Sequence, residues 1–241
     1  MTGSESDTTH DAVVVVMAKA PLAGRVKTRL CPPFTPAEAA ALASAALVDT
    51  LEAVLAVPAR RVLAFDGPTE PCLADELEWR GEMELMPQCQ GGLDRRIATV
   101  LENIVLEDVE RSATTVLVIG MDTPQITSAL MIEALALMAD PGTDAVIGPA
   151  TDGGWWALGL RRPEGADVYG VPMSTPHTGS AQRQRLLERG RRVVALPELR
   201  DVDTIDDARA VAAHVPGSRF AATLERLDRA PPGPLTGGRG A

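Results

Sequence analysis

Four cations and no acid fall within MAKAPLAGRVKTRL, residues 17–30: Lys19, Arg25, Lys27 and Arg29. The segment directly follows the apolar run VVVV at residues 13–16, so it reads as a loop leaving the end of a buried strand. Fixed cations beside a glycine suit a di- or triphosphate, because Gly24 lets backbone amides approach while Lys and Arg offset the charge. The spacing KxxxxGxxKxR lacks the GxxxxGK[ST] pattern of a Walker loop. A solvated loop whose cations balance acidic neighbours is the equal alternative.

Carboxylates recur at three further places. Asp122 in GMDTP follows the run TVLVIG at residues 115–120, where a carboxylate can hold Mg²⁺ or Mn²⁺ bridging phosphate oxygens. Asp-Thr-Pro is equally ordinary turn chemistry. Asp201 and Asp203 in DVDT alternate, so an extended backbone turns both the same way; the pair can complete a metal site, or one can cap the next helix. Asp152 precedes Gly153 and Gly154, a tight loop that admits close approach of a ligand, and Trp155 and Trp156 follow it. On a strand these two indoles face opposite sides. STPHTG at residues 174–179 offers the hydroxyls of Ser174 and Thr175, with His177 as a weaker base candidate.

The elements that must position these groups alternate. Strands are expected at residues 12–17, 62–65, 83–86, 115–120, 144–150, 155–160 and 191–197, and helices at 35–56, 72–79, 94–106, 128–139, 180–190 and 204–215. Thr35, Pro36 and Glu38 spell a capping box with proline at the first helical position. Thr204 or Asp203 is expected to cap the helix at 204–215. This alternation predicts an α/β fold with a doubly wound, mostly parallel central sheet. In such a sheet ligands sit beyond the carboxyl ends of the strands, which selects the cationic loop, the Asp122 loop and the Asp152 loop.

The chain of 241 residues is 45% hydrophobic, enough for one sizeable domain, expected over residues 12–229 between a polar leader (1–11) and a Pro/Gly-rich tail (230–241). Its formal charge of −10 disfavours nucleic acid and anionic membrane as partners, and its apolar runs are too short to span a bilayer. Cys31, Cys72 and Cys89 are widely spaced without a CxxC pair, so neither a disulfide framework nor a zinc site is expected, and a cytoplasmic location is the default.

In order, MAKAPLAGRVKTRL, GMDTP, DGGWWALGL, the Ser/Thr segment and DVDT resemble the DUF2064 family of GT-A-like glycosyltransferases, over roughly residues 13–211. The family is related to MobA-type nucleotidyltransferases. The resemblance implies a three-layer, Rossmann-like GT-A fold and a metal-dependent transferase with a nucleotide or nucleotide-sugar donor and an unassigned acceptor. It further implies Lys19, Ala20, Pro21, Gly24, Arg25, Lys27, Arg29 and Gly91 on the phosphates, and Mg²⁺ or Mn²⁺ on Asp122 and Asp203. Asp152, Gly153, Gly154, Trp155, Ser174 and Thr175 would face the acceptor, and Lys27, Asp122 and Asp152 would act on the reacting groups. Sugar transfer is the leading expectation, nucleotidyl transfer with release of pyrophosphate the alternative, and a non-catalytic nucleotide-binding protein the third; a homodimer is compatible with each. The chain departs from the family pattern at GGLDRR (residues 91–96), where relatives show GDLGxR, at Trp155 and Trp156 in place of a Tyr pair, and at Met173 in place of Trp.

Overall fold

The computed structural model describes residues 12–69, 81–107 and 114–229. The expected leader, tail and helix at 72–79 lie outside the described residues. Seven strands form one sheet: β1 Ala12–Lys19, β2 Arg60–Asp66, β3 Glu84–Pro87, β4 Thr115–Gly120, β5 Ala145–Pro149, β6 Trp155–Arg161 and β7 Val193–Ala195. Their order is β3-β2-β1-β4-β6-β5-β7. All neighbours pair parallel except β6, which runs antiparallel between β4 and β5. The short turn at residues 151–154 causes this: so few residues allow a hairpin, whereas a parallel return needs a crossover of a dozen or more.

Helices cover both faces. They are α1 Pro36–Leu55, α2 Leu93–Glu107, α3 Ser128–Ala139, α4 Thr178–Glu188, α5 Ile205–His214 and α6 Arg219–Arg229. Val14, Val16 and Ala18 of β1 pack with Leu47 and Leu51 of α1 and Met131 and Met138 of α3. The alternate residues Val13, Val15 and Met17 pack with Ile97, Leu101 and Ile104 of α2 and Leu186 of α4. The continuously apolar β1 is therefore a strand buried on both faces, the centre of a three-layer sandwich. A third cluster joins α5 and α6 to the outer side of α1 through Phe220, Leu224, Val211 and Leu42.

The capping box of α1 forms as its sequence predicts: Thr35 Oγ1 accepts from the Glu38 amide at 3.3 Å and Glu38 Oε2 accepts from the Thr35 amide at 2.7 Å. Thr35→Ala should lower unfolding free energy by about 1 kcal/mol, read as a shifted urea midpoint with unchanged slope. Thr204, with Asp207, caps α5, and Asp203 is left for the cleft. The late strand is shorter than expected, and α6 is an addition to the predicted elements; its stripe of Phe220 and Leu224 is narrow and otherwise surrounded by charge.

Asp144, just before β5, fastens three strands. Its carboxylate accepts from Arg192 Nε at 2.7 Å and from Arg161 Nη2 at 2.8 Å. The hydrogen bonds from Arg192, with those from Arg161, hold its carboxyl far below the usual carboxylate range. An acid with a depressed folded value binds fewer protons folded than unfolded, so stability rises with pH there. Its contribution is present above the unfolded value of about 3.9 and fades as pH falls below that value toward the folded one. Asp144→Asn should flatten this acid limb of the stability curve, measured as urea midpoints from pH 5 down to pH 2.

Candidate active site

The carboxyl ends of β1 and β4 open into a cleft of about 750 Å³ that also receives the β5–β6 turn and residues 201–203. Four chain-distant segments therefore meet as the strand-end rule predicts. Lys19 ends β1, and Lys27 stands where the loop turns into a 3₁₀ turn, Thr28–Leu30. Leu30 is fully buried beneath this turn and anchors it. Lys27 adopts left-handed backbone angles (φ 47°, ψ 39°), unusual for a residue with a Cβ. Its side chain is only 8% exposed, and Nζ lies 3.1 Å from Asp122 Oδ1 and 3.7 Å from Asp203 Oδ1. Arg29 Nη1 lies 2.8 Å from Asp203 Oδ2.

The Asp122 backbone carbonyl accepts from the Val202 amide at 3.2 Å, which joins the loop after β4 to the Asp201–Asp203 segment. Asp201 Oδ1 accepts from the hydroxyl of Thr123 at 2.6 Å. Burial, reinforced by the carboxylates of Asp152 and Asp122, pushes the Asp201 carboxyl up to about 6, against the opposing influence of Thr123 and Lys27. Asp152 Oδ1 accepts from the Gly154 amide at 2.7 Å. Gly153 (φ 88°) would meet the Pro176 carbonyl at 2.0 Å if it bore a Cβ, so glycine is what lets the 174–178 loop close on this turn. The Gly179 amide completes the contact by donating to the Gly153 carbonyl at 2.8 Å.

Of the expected phosphate residues, Lys19, Lys27, Arg29 and Gly91 line the cleft, whereas Ala20, Pro21, Gly24 and Arg25 are not part of its lining. Ala20 is buried, its amide donating to the Asp66 carbonyl and its Cβ against Gly67, and Arg25 is exposed. The loop thus lines the cleft with the consecutive residues Val26, Lys27, Thr28 and Arg29, and its glycine is not part of that lining. Asp122, Asp152, Gly154, Trp155, Ser174, Thr175 and Asp203 line the cleft, while Gly153 supports it from behind. Trp155 and Trp156 face opposite sides of β6, Trp155 toward the α2 layer and Trp156 into the α1–α3 layer.

Gln88, Arg96 and Thr123 also line the cleft, though none was among the expected site residues. Gln88 Nε2 donates to the Ala18 carbonyl at 2.8 Å and the Ala64 carbonyl at 2.7 Å, bridging the ends of β1 and β2. Arg96 pairs with Asp66 and donates to the Gly91 carbonyl at 2.9 Å, fixing the loop before α2. Gln88 belongs to no local pattern, whereas Arg96 falls on the final Arg of the family's GDLGxR and Thr123 is the neighbour of Asp122. At the departure GGLDRR, the Asp94 carboxylate accepts from the Gly170 amide at 2.9 Å, and a Cβ on Gly92 would lie 2.5 Å from Asp94 Oδ1. The two exchanged positions are therefore sterically coupled.

Among the described residues, no three or more His, Cys, Asp or Glu side chains group around one metal position. A hard divalent cation bound through one or two carboxylates plus substrate phosphates needs no such group. Asp122 and Asp203, with Asp201 behind them, supply oxygen donors of that kind, and a cation, the Lys27 ammonium, already stands between two of them.

An open, mostly parallel sheet takes its ligands across the strand ends, here in the cleft at β1 and β4, and the likeness to a guanylyltransferase makes the chain an enzyme of the glycosyl- or nucleotidyltransferase class. Within it, the chain belongs to the DUF2064 family, described as uncharacterized protein conserved in bacteria, whose model matches residues 50–175. It is 31% identical to the phosphoenolpyruvate guanylyltransferase of Thermomonospora curvata, over 95% of this chain and 97% of that one. Its fold is similar to that of a protein from Desulfovibrio desulfuricans G20 described as a nucleotide-diphospho-sugar transferase (TM-score 0.79, 22% identity, 90% and 95% coverage). It is also similar to a mannosyltransferase from Pyrobaculum calidifontis solved with GDP-Man and Mn²⁺ (TM-score 0.50, 13% identity, 92% and 66% coverage). Among the described residues, no helix is long and apolar enough to cross a membrane.

Proposed function

We propose that the protein is a nucleotidyltransferase that moves a nucleoside monophosphate from a nucleoside triphosphate to a phosphorylated small acid. The observation that carries this reading is the meeting of Lys27 and Arg29 with Asp122 and Asp203 in one cleft. The guanylyltransferase relative, similar along nearly its whole length, makes GTP and phosphoenolpyruvate the first pair to try. An oxygen of the acceptor phosphate attacks the α-phosphorus and forms a new P–O bond. The bond from that phosphorus to the bridging oxygen breaks, and its electron pair leaves with pyrophosphate. A phosphomonoester is largely dianionic at pH 7, its second pKa being about 6, so this attack needs no proton removed.

Lys19, Lys27 and Arg29 neutralise the departing pyrophosphate, and the rigid turn at Gly153–Gly154 with Ser174 and Thr175 forms the acceptor end. Asp122 and Asp203, aided by Asp201, would hold Mg²⁺ or Mn²⁺, which when bound supplies positive charge against the phosphate oxygens. Catalysis of this kind is positioning and charge stabilisation more than covalent chemistry.

Glycosyl transfer is the second reading, favoured by the likeness to the nucleotide-diphospho-sugar transferase fold. Products separate the two. The full chain is incubated with Mn²⁺ and either nucleoside triphosphates plus phosphorylated acids, or nucleotide sugars plus hydroxyl acceptors, and followed by ³¹P NMR. Pyrophosphate together with a new diphosphate diester supports the proposal. A freed nucleoside diphosphate from a nucleotide sugar would replace it with the second reading.

A further inference from the structure

The cations expected to receive a polyphosphate are already paired with the carboxylates expected to receive a metal. Lys27 sits between Asp122 at 3.1 Å and Asp203 at 3.7 Å, and Arg29 holds the other Asp203 oxygen at 2.8 Å. Lys27 is also the least solvated member of this group, 8% exposed against 46% for Asp122 and 38% for Asp203. We propose that Lys27 is a built-in occupant of the divalent-metal position, so that metal and polyphosphate enter the cleft by a joint exchange of partners. This rests on the reading of the cleft as a metal and polyphosphate site.

Each ligand alone meets an unfavourable residue of charge. A metal arriving by itself must displace the Lys27 ammonium from Asp122 and leave it, poorly hydrated, beside a dication. A polyphosphate arriving by itself must draw Lys27 and Arg29 away and leave Asp122 and Asp203 facing phosphate, with Asp152 and Asp201 close behind. Separating one partner of a shielded ion pair is strongly unfavourable because the other remains uncompensated. Arriving together, the two leave no such charge: the phosphates take Lys27 and Arg29, and the metal takes the carboxylates. Binding of either must then favour the other by the same factor.

A reversal of sign follows for one substitution. Lys27→Met removes the resident cation, so Mn²⁺ without nucleotide should bind more tightly, while nucleotide without metal should bind more weakly. A lysine that served phosphate alone would produce only the second effect. Mn²⁺ binding to the full chain is measured by the loss of the free aqueous Mn²⁺ signal in electron paramagnetic resonance, and GTP binding in EDTA by calorimetry. The expected result is a gain of about tenfold or more in Mn²⁺ affinity for Lys27→Met over the native chain, together with a loss of similar size for GTP. The Mn²⁺ gain should vanish when Asp122→Asn is added.

A folded Lys27→Met chain that binds Mn²⁺ no better than the native chain overturns the proposal. So does a native chain that binds Mn²⁺ equally well with its cleft empty and filled by nucleotide. Should Lys27→Met fail to fold, Lys27→Asn serves in its place, since Asn tolerates the left-handed backbone there. Failure of the native chain to bind either GTP or GDP-Man with Mn²⁺ sinks the functional reading instead, and the metal-only comparison is unaffected by it.

Discussion

Asp122→Asn is expected to lower the rate of group transfer by two to three orders of magnitude while leaving the thermal midpoint within a few degrees. The side chain stands two residues beyond β4 in the cleft lining, touches Lys27 and is 46% exposed, so little packing depends on its charge. What the substitution removes is one formal negative charge at the point where the phosphate-bridging cation is expected. Deleting a single group that stabilises developing charge typically lowers kcat by about 10²–10³. Asn preserves size and leaves Lys27 with Asp203, so misfolding is not the expected cause of the loss. Initial rates with the donor and acceptor found by product analysis, beside a thermal melt, make the measurement. Turnover within threefold of the native chain would remove Asp122 from the mechanism and favour a protein that binds nucleotide without acting on it.

The largest stability effect is expected at Trp156. The indole is 1% exposed in the layer between the sheet and helices α1 and α3, and its Nε1 donates to the Pro197 carbonyl at 2.9 Å. Gly148, on the neighbouring strand, has room for no more than hydrogen there, because a Cβ would lie 2.4 Å from the ring. Trp156→Ala opens a cavity and orphans that carbonyl, lowering unfolding free energy by about 3–5 kcal/mol. Trp156→Phe keeps most of the packing but not the hydrogen bond and should lie between. Urea unfolding curves for the three chains test the order. A Trp156→Ala chain within 1 kcal/mol of native would mean that this layer is not packed around the indole. Because β6 begins directly after Asp152–Gly154, a loosened Trp156 should also weaken the hold on the proposed acceptor end, raising KM for acceptor before kcat falls.

Legibility in the sequence followed the range of the interaction concerned. The buried β1, the α1 capping box and the opposed faces of Trp155 and Trp156 were all readable, because each rests on a period of two or on contacts three residues apart. Gln88 was invisible for the opposite reason: its amide matters only because β1 and β2, 70 and 24 residues earlier at Ala18 and Ala64, end beside it. Helix α6 was legible and passed over: Phe220, Leu224 and Leu227 repeat at helical spacing, and that face packs against α1 and α5.

The candidate site divides in the same way. That a cationic loop and an aspartate each follow a buried strand is a property of local composition, and an open sheet then brings both to one edge. Composition could not say which cations of that loop reach the cleft; the left-handed turn at Lys27 and the buried Leu30 decide it, burying Lys27, setting the exposed Arg29 at the rim against Asp203 and leaving Arg25 outside the lining. Nor could alternation within DVDT separate its two aspartates. Asp201 is half-buried against Thr123 while Asp203 meets Arg29, because the backbone bond from Val202 to Asp122 sets that segment at the cleft floor. Short-range periodicity thus determined the elements and their exposed ends, and the pairing of charges 95 to 176 residues apart was decided only when the sheet closed the distance between them.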